Sequence, residues 1–145
     1  RGLIALVCCG LAATGFFEIW ANVPTALLAG SALEPPELIK SLFAYQLGLI
    51  VPDVWAKALH YLTGILFYPL GYWLISRIFS RLGVPAAGWL WGVVTYFLAL
   101  GVFAPLAGLP FLLLGDGNVL SLMSLIGHAL YGYLLGRMFE AVDGL

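Results

Sequence analysis

Four polar side chains inside otherwise apolar stretches are the residues of this sequence best suited to chemistry. His60 and His128 are its only histidines, and each opens a similar phrase, HYLTGIL and HALYGYLLG. Glu18 stands in the apolar run LAATGFFEIWAN, one helical turn before Asn22. Imidazole and carboxylate groups can share a proton, bind a metal or fix each other's orientation. We therefore take Glu18, Asn22, His60 and His128 as a candidate polar cluster.

The candidate cluster allows three interpretations. Each histidine could bond a carbonyl or hydroxyl on a neighbouring helix and only stabilise packing. Glu18 with a histidine could form a proton or ion site, as in a small transporter. His60 and His128 could also be axial ligands of a haem or a chlorophyll-type pigment. No nucleophile with a base and an orienting group is visible, so we expect no enzyme activity and no catalytic residue.

The composition places the chain in a membrane. Of its 145 residues 63% are hydrophobic and only 9% are charged, whereas soluble domains carry roughly 25% charged residues. A net charge of −1 gives no basic surface for nucleic acid. Cys8 and Cys9 are adjacent in an apolar run, without the spacing of a metal site, and are expected to be small packing residues.

Four segments are long and apolar enough to predict transmembrane helices, which need about 20 residues. They cover roughly 3–28, 54–79, 86–106 (with a broken continuation to 114) and 119–141. Turn residues at 83–85 and 115–118 separate the later segments. Pro105 and Pro110 are expected to end or break the third helix early, because each removes a backbone donor.

The first loop contains a further helical pattern at about 36–48. Two prolines stand at its start, and apolar residues follow at helical spacing: Leu38, Ile39, Leu42, Phe43 and Leu47. This pattern predicts a short amphipathic helix in the membrane interface, although an ordinary ordered loop is the alternative.

An internal repeat relates the two histidine phrases. His60 and Gly64 match His128 and Gly132 at an offset of 68, and the first and third helices match at an offset of 86. The chain is therefore predicted to be one all-α domain, 1–145, built from two helical hairpins, 1–80 and 84–141. At 1.5 Å per residue, both histidines and Glu18 would lie roughly 10 to 16 Å from the outer ends of their helices.

Two further patterns concern packing and orientation. Gly88 with Gly92, and Gly132 with Gly136, form G-x-x-x-G motifs that allow close helix contacts. Four arginines flank the amino terminus, the second loop and the carboxyl end, whereas two lysines lie near the other loops: Arg1, Arg77, Arg81, Arg137, Lys40 and Lys57. The positive-inside rule then predicts both termini in the cytoplasm.

Several motifs resemble those of a family of small four-helix membrane proteins of bacteria and archaea that has no assigned function. The motifs are P-E-L, H-[FY]-L-x-G, P-L-A-G and H-x-x-Y-G-x-x-L-G, and they fall on Pro36, Glu37, Leu38, His60, Gly64, Pro105, Leu106, Ala107, Gly108, His128, Tyr131, Gly132 and Gly136. The resemblance implies a four-helix fold in a prokaryotic inner membrane and an association with respiratory oxidase genes.

The expected function is that of a non-catalytic accessory subunit of a larger energy-transducing membrane complex, respiratory or photosynthetic. Its partners would be other integral membrane subunits and lipid, with quinone or pigment as further contacts. The alternatives are a haem- or (bacterio)chlorophyll-binding protein ligated by His60 and His128, and a small transporter or proton path using Glu18.

Overall fold

The computed structural model describes residues 2–115 and 118–143, and every regular element in these ranges is helical. The eight α-helices are α1 Gly2–Asn22, α2 Pro24–Ala29, α3 Pro35–Leu47, α4 Asp53–Leu62, α5 Tyr68–Ile78, α6 Val84–Tyr96, α7 Ala104–Leu106 and α8 Val119–Asp143. Two π-helical segments, Thr63–Phe67 and Phe97–Phe103, join α4 to α5 and α6 to α7, and 3₁₀ turns occupy Ser80–Leu82 and Phe111–Leu113. The prediction of an all-α fold is confirmed. Arg1 and residues 116 and 117 of the turn predicted at 115–118 lie outside the described residues.

Three helices are long and apolar enough to cross a membrane: Gly2–Ala29, Val84–Leu106 and Val119–Val142. They correspond to the first, third and fourth predicted spans. The second predicted span is also a continuous helix, 53–78, about 39 Å long. It is not among the helices that are long and apolar enough to cross a membrane. Length and composition thus support three of the four predicted spans within the described ranges.

Helix α8 packs against both α6 and α1, and α1 in turn packs on the π segment Thr63–Phe67. The core between these helices holds small and aromatic side chains: Leu6, Cys9, Ala13, Phe17, Ala21, Tyr72, Tyr131 and Leu135. Large apolar residues such as Ile4 and Leu11 are exposed on the outside. An apolar exterior around a packed interior suits contact with lipid.

Glycines bring the backbones of α6 and α8 together. A Cβ added at Gly88 would lie 2.6 Å from the Gly132 carbonyl oxygen, and one added at Gly92 would lie 2.7 Å from Ala129 Cα. Neither position has room for a side chain. Gly136, one turn beyond Gly132, instead faces the Tyr72 hydroxyl at 3.2 Å from its would-be Cβ. The α6–α8 contact therefore depends on direct backbone approach.

Each π segment is followed by α-helix whose first or second residue is a proline, Pro69 or Pro105. The Tyr68 N–H bonds the Thr63 carbonyl, and the Ala104 N–H bonds the Ala99 carbonyl, both five residues back. A proline ring clashes with the carbonyl four residues before it, and the wider π turn moves that carbonyl aside. The prolines thus reshape the second and third helices without breaking them, and the third ends at Leu106 as predicted.

The two π segments do not follow the predicted duplication. At the offsets of the repeat, Pro69 corresponds to Arg137 and Pro105 corresponds to Ile19. Neither of those positions lies in a π segment. The π segment therefore lies in the second helix of the first hairpin and in the first helix of the second hairpin. The common origin of the two hairpins stays a prediction.

Helix α3 is the amphipathic helix predicted in the first loop. It begins with two prolines and ends at Gly48, whose φ of 65° is the left-handed conformation that favours glycine. None of its residues is fully buried. Polar contacts attach it to its neighbours: Lys40 pairs with Asp53 at 2.9 Å, and the Gln46 amide donates to the Leu106 carbonyl at 2.6 Å.

Candidate functional site

A cavity of about 390 Å³ lies between α1, the helix 53–78, the third helix and α8, beneath α3 and the loop before it. Its walls are mainly apolar, and they include Phe17, Leu33, Leu38, Leu100, Phe103, Leu113 and Leu120. A few polar groups converge on it: Thr14, Glu34, Glu37, Ser41, His60, Thr63, Tyr68, Ser124, His128 and Tyr131. The volume and this mixture of surfaces are typical of small-molecule sites, which measure about 300–1,000 Å³.

Both predicted histidines line this cavity, although they make different contacts. His128 is buried, and its Nδ1 lies 2.8 Å from the carbonyl oxygen of Ser124 on the same helix. A carbonyl only accepts, so Nδ1 carries a proton and donates it. The edge of Phe17 packs on the ring at a centroid distance of 5.0 Å, and Tyr96 lies on it at 6.3 Å. The ring is therefore held in one orientation.

His60 bonds Glu18 across the helix pair. Its Nε2 lies 2.5 Å from Glu18 Oε1, and its side chain is mostly buried. A hydrogen bond between an imidazole N–H and a carboxylate oxygen is charge-assisted. The pair joins the first helix to the second, well inside the apolar helix Gly2–Ala29.

Glu18 itself does not line the cavity. It lies eleven residues from the end of the apolar helix Gly2–Ala29, about 16 Å along the axis. Its side chain is 30% exposed, on the outer side of the contact with His60. Asn22 is exposed and donates its amide to the Glu18 backbone carbonyl at 2.8 Å rather than to the carboxylate. Of the four residues of the candidate cluster, His60 and His128 line the same cavity. Glu18 bonds His60 from outside the cavity, and the Asn22 side chain bonds neither histidine.

Tyr131 connects α8 to the first π segment. Its hydroxyl donates to the Gly64 carbonyl at 2.5 Å. In an α-helix the Gly64 carbonyl would accept a hydrogen bond from the N–H four residues later, and in a π-helix from the N–H five residues later. The Tyr68 N–H bonds the Thr63 carbonyl instead, and Pro69 has no N–H, so the Gly64 carbonyl has no partner within its own helix. Thr14 of α1 lies against Gly64, where a Cβ would be 2.5 Å from Thr14 Oγ1. That hydroxyl oxygen is buried and has no hydrogen-bond partner in the part of the chain that the structure describes.

Thr14 and Ser124 are site residues that sequence reasoning missed. Thr14 stands one turn before Glu18, and a hydroxyl inside an apolar run was the available signal. Ser124 stands one turn before His128, so its contact follows the i, i+4 spacing of a helix. No feature of the sequence predicted the cavity, because its shape depends on how four helices and α3 pack together.

The geometry bears on two of the sequence-based alternatives. Ligation of one tetrapyrrole by the Nε2 atoms of both histidines would require the His60–Glu18 bond to break. A proton path from Glu18 to the cavity would have to pass through His60, because His60 bonds Glu18 and lines the cavity whereas Glu18 does not line it. Among the described residues there is no group of three His, Cys, Asp or Glu side chains arranged to hold a metal ion.

Charged side chains form a separate cluster where α3 meets the start of α4. Lys40 pairs with Glu37 and with Asp53, both at 2.9 Å, and Lys57 pairs with Asp53 at 2.8 Å. Hydrogen bonds from Lys40 and then Lys57 lower the pKa of Asp53 from 3.8 to about 2. The hydrogen bonds to Asp53 and then Glu37 raise the pKa of Lys40. This cluster fastens the helix that covers the cavity.

No family model, curated protein or solved structure matches the chain. Fold and site together define an all-helical protein with three helices of membrane-spanning length and an amphipathic cavity between its helices. The family resemblance of the motifs stays an expectation.

Proposed function

We propose that this chain is a non-catalytic accessory subunit of a larger membrane complex, and that the outer face of α1 docks on a transmembrane helix of a partner subunit. The observation that carries the proposal is the partly exposed carboxylate of Glu18 deep in an apolar helix. His60 covers one side of that carboxylate, and a partner would cover the other.

The energetic argument concerns a charged group facing hydrocarbon. An acidic side chain at the centre of a membrane helix costs about 2.5–3.5 kcal/mol. The bond from His60 offsets part of this cost, and the exposed remainder of the carboxylate still needs a donor. Intramembrane carboxylates usually face a partner or a wet cavity. Because Glu18 does not line the cavity, a partner is the better explanation.

The face of α1 that carries Glu18 has the spacing of a helix-packing seam. Exposed or half-exposed residues recur at alternating steps of four and three: Ile4, Cys8, Leu11, Gly15, Glu18 and Asn22. This is the seven-residue period of left-handed helix pairs. Gly15 has no atom within 4 Å of its would-be Cβ, so a second backbone could approach there.

The chemistry of the seam favours a different subunit over a second copy. A two-fold pair of this chain along the seam would bring Glu18 toward its own equivalent, and like charges in low dielectric repel strongly. A partner helix with a basic side chain or an N–H donor level with Glu18 would complete the hydrogen bonds of the carboxylate. The proposed occupant is therefore a transmembrane helix of another integral membrane subunit with such a residue.

We also propose that the helix 53–78 crosses the membrane as a fourth span, with both termini in the cytoplasm. Its length is sufficient, and the excess of arginines near the termini and the second loop supports the orientation. The proposal that the complex is a respiratory or photosynthetic one rests on the motif resemblance.

Photo-crosslinking in native membranes tests the docking face. A benzophenone amino acid replaces Leu11, which is 59% exposed on the seam. The matched control carries it at Leu122, which is 53% exposed on α8. We expect the probe at position 11 to crosslink to a transmembrane helix of one integral membrane subunit that copurifies with the unmodified chain. The probe at position 122 should give that product weakly or not at all.

The substitution Glu18→Leu should reduce copurification of the crosslinked subunit about tenfold, whereas Glu18→Gln should retain most of it because the amide still bonds a donor. A crosslink only to a second copy of this chain, or only to lipid, would contradict the proposal. So would equal products from both probe positions.

A further inference from the structure

The two ring nitrogens of His128 differ in the partners available to them. Nδ1 donates its proton to the Ser124 carbonyl, so the neutral ring presents Nε2 as a hydrogen-bond acceptor. No group in the described ranges bonds Nε2, although His128 lines the cavity. His128 is a buried residue that lines the cavity, so a donor group on a molecule in the cavity could bond this acceptor.

A second polar point lies in the same cavity on α1. Thr14 is only 3% exposed, lines the cavity, and has a buried hydroxyl oxygen without a partner in the described part of the chain. The other threonine of the lining, Thr63, bonds the Leu59 carbonyl at 2.7 Å and is already satisfied. His128 and Thr14 are thus two polar groups with capacity to bind something in the cavity.

Water alone is a poor occupant of this volume. A space of about 390 Å³ would hold on the order of ten or more waters, each needing two to four polar partners. The walls are mainly apolar, with leucine as the most frequent residue, and several of the polar side chains already have partners inside the protein. A molecule with a large apolar body and one polar end matches these walls better.

The acidic residues of the lining restrict the polar end of the ligand. Glu34 and Glu37 line the cavity on the side of α3. Lys40 pairs with Glu37, so the charge of Glu34 is the one that repels a phosphate or carboxylate headgroup. The hydroxyl of a neutral molecule remains as a donor to His128 Nε2. Phenols of the quinol type and neutral lipid alcohols share this chemistry.

We propose that the cavity binds one neutral amphipathic molecule through a hydroxyl group that donates to Nε2 of His128. The Thr14 hydroxyl makes a second hydrogen bond to the same headgroup, and the apolar body lies among Phe17, Leu100 and Leu120. This site is separate from the docking face of α1, so each proposal can fail without the other.

A matched pair of ligands tests the headgroup chemistry on the full-length protein in mild detergent under anaerobic conditions. Decylhydroquinone carries the hydroxyl, and its dimethyl ether has the same body with the hydroxyl blocked. We expect the hydroquinone to bind about five- to tenfold tighter, the effect of one hydrogen bond to a buried group. Equal affinities, or no binding of either ligand, would overturn the proposal.

Nitrogen-15 NMR of histidine-labelled protein locates the contact. With only two histidines in the chain, the spectrum contains four ring resonances, and a His60→Gln sample assigns them. The hydroquinone should move the resonance of His128 Nε2, and the ether should not. A shift confined to the His60 resonances would contradict the assigned contact.

Two isosteric variants separate a binding role from a structural one. Thr14→Val removes the unsatisfied hydroxyl and should weaken hydroquinone binding about two- to fivefold. Thr63→Val removes a hydroxyl that is already bonded to its own helix and should leave the affinity within twofold. Equal losses in both variants would remove Thr14 from the site.

Mass spectrometry identifies the natural ligand in solvent extracts of protein that has been purified from native membranes. A prenylated quinone in stoichiometric amount would support a quinol ligand, and a monoacylglycerol or related alcohol would support a neutral lipid. Stoichiometric phospholipid as the sole extracted molecule would contradict the neutral headgroup.

Discussion

At the scale of single residues, one hydrogen bond compensates for a defect that a proline introduces. Pro69 lacks an N–H, and the π segment before it diverts the Tyr68 N–H to Thr63, so the Gly64 carbonyl loses its helical partners. The Tyr131 hydroxyl bonds that carbonyl at 2.5 Å. A widened turn in the second helix is thereby connected to α8, beside the cavity.

Tyr131→Phe should destabilise the protein by about 1 kcal/mol. The value is between the average of about 0.6 kcal/mol for interhelical hydrogen bonds in membranes and the 1–3 kcal/mol of an unsatisfied buried group. Unfolding in mixed micelles measures it. Tyr133→Phe is the control, because that ring stacks on Trp89 and its hydroxyl bonds no other residue in the described ranges. Equal losses in both variants would contradict this role of Tyr131.

At the scale of elements, ion pairs with α4 and a hydrogen bond to Leu106 hold α3 over the cavity. Its residues are at most half-buried, and glycines with positive φ, Gly30 and Gly48, flank it. Few apolar contacts make an element easy to release. The Lys40–Asp53 pair is therefore important for keeping α3 closed.

Asp53→Asn should increase hydrogen exchange in α3 about two- to fivefold at neutral pH, the size of effect expected from a surface ion pair. Glu37→Gln should change it less, because Glu37 pairs with Lys40 inside α3 and does not cross to α4. Mass spectrometry of peptides covering 31–48 measures both variants. Faster exchange in Glu37→Gln than in Asp53→Asn would contradict the role of Asp53.

The same pair predicts a pH dependence. Because the folded pKa of Asp53 lies near 2 and its ordinary value is 3.8, the stabilisation is complete above about pH 4 and is lost as pH falls through about 2. The raised pKa of Lys40 keeps the pair charged up to its ordinary value of 10.5. The mobility of a nitroxide at position 47, with both native cysteines replaced by alanine, should stay constant from pH 5 to 8 and rise only in strong acid. A rise between pH 6 and 7 would point to another group.

Close packing of α6 on α8 makes a second prediction for an element. Gly132→Ala would place a Cβ 2.6 Å from the Gly92 nitrogen, and overpacking of this kind costs about 1–3 kcal/mol. Gly15→Ala adds a Cβ in open space and should be neutral or slightly stabilising in the isolated subunit. Unfolding measurements on both variants test the difference, and a neutral Gly132→Ala would contradict the backbone contact.

Hydropathy and turn residues predicted much of the helical framework, because the apolar length of a helix is a local property. The bounds of α3 and α8 differ from the prediction by at most two residues. The π segments were not predicted, since they arise where a proline is kept inside a continuing helix. The His60–Glu18 bond was one of several open pairings, because side-chain partners depend on helix rotation. The contact of His128 with its own helix replaced the expected contact with a neighbouring one.

At the scale of the whole molecule, the number of spans decides on which sides of the membrane the termini lie. Three helices are long and apolar enough to span a membrane, and we propose the helix 53–78 as the fourth span. Four crossings place both termini on one side, and three place them on opposite sides. We expect four, because Lys57 and Arg77 stand near the ends of that helix, where long side chains reach the interface.

Terminal fusions provide the measurement. Green fluorescent protein at either end should fluoresce, and alkaline phosphatase at either end should be inactive, if both termini are cytoplasmic. Fusions with opposite behaviour at the two ends would mean three crossings.

The central claim is that this chain belongs to a larger membrane assembly through the Glu18 face of α1. Native mass spectrometry of the complex released gently from its own membranes tests it most directly. We predict this chain in fixed stoichiometry with at least one other integral membrane subunit, and loss of that subunit in Glu18→Leu but not in Gly2→Ala, whose site is also open. A chain found alone or only as a homo-oligomer, with the same masses in Glu18→Leu, would contradict it.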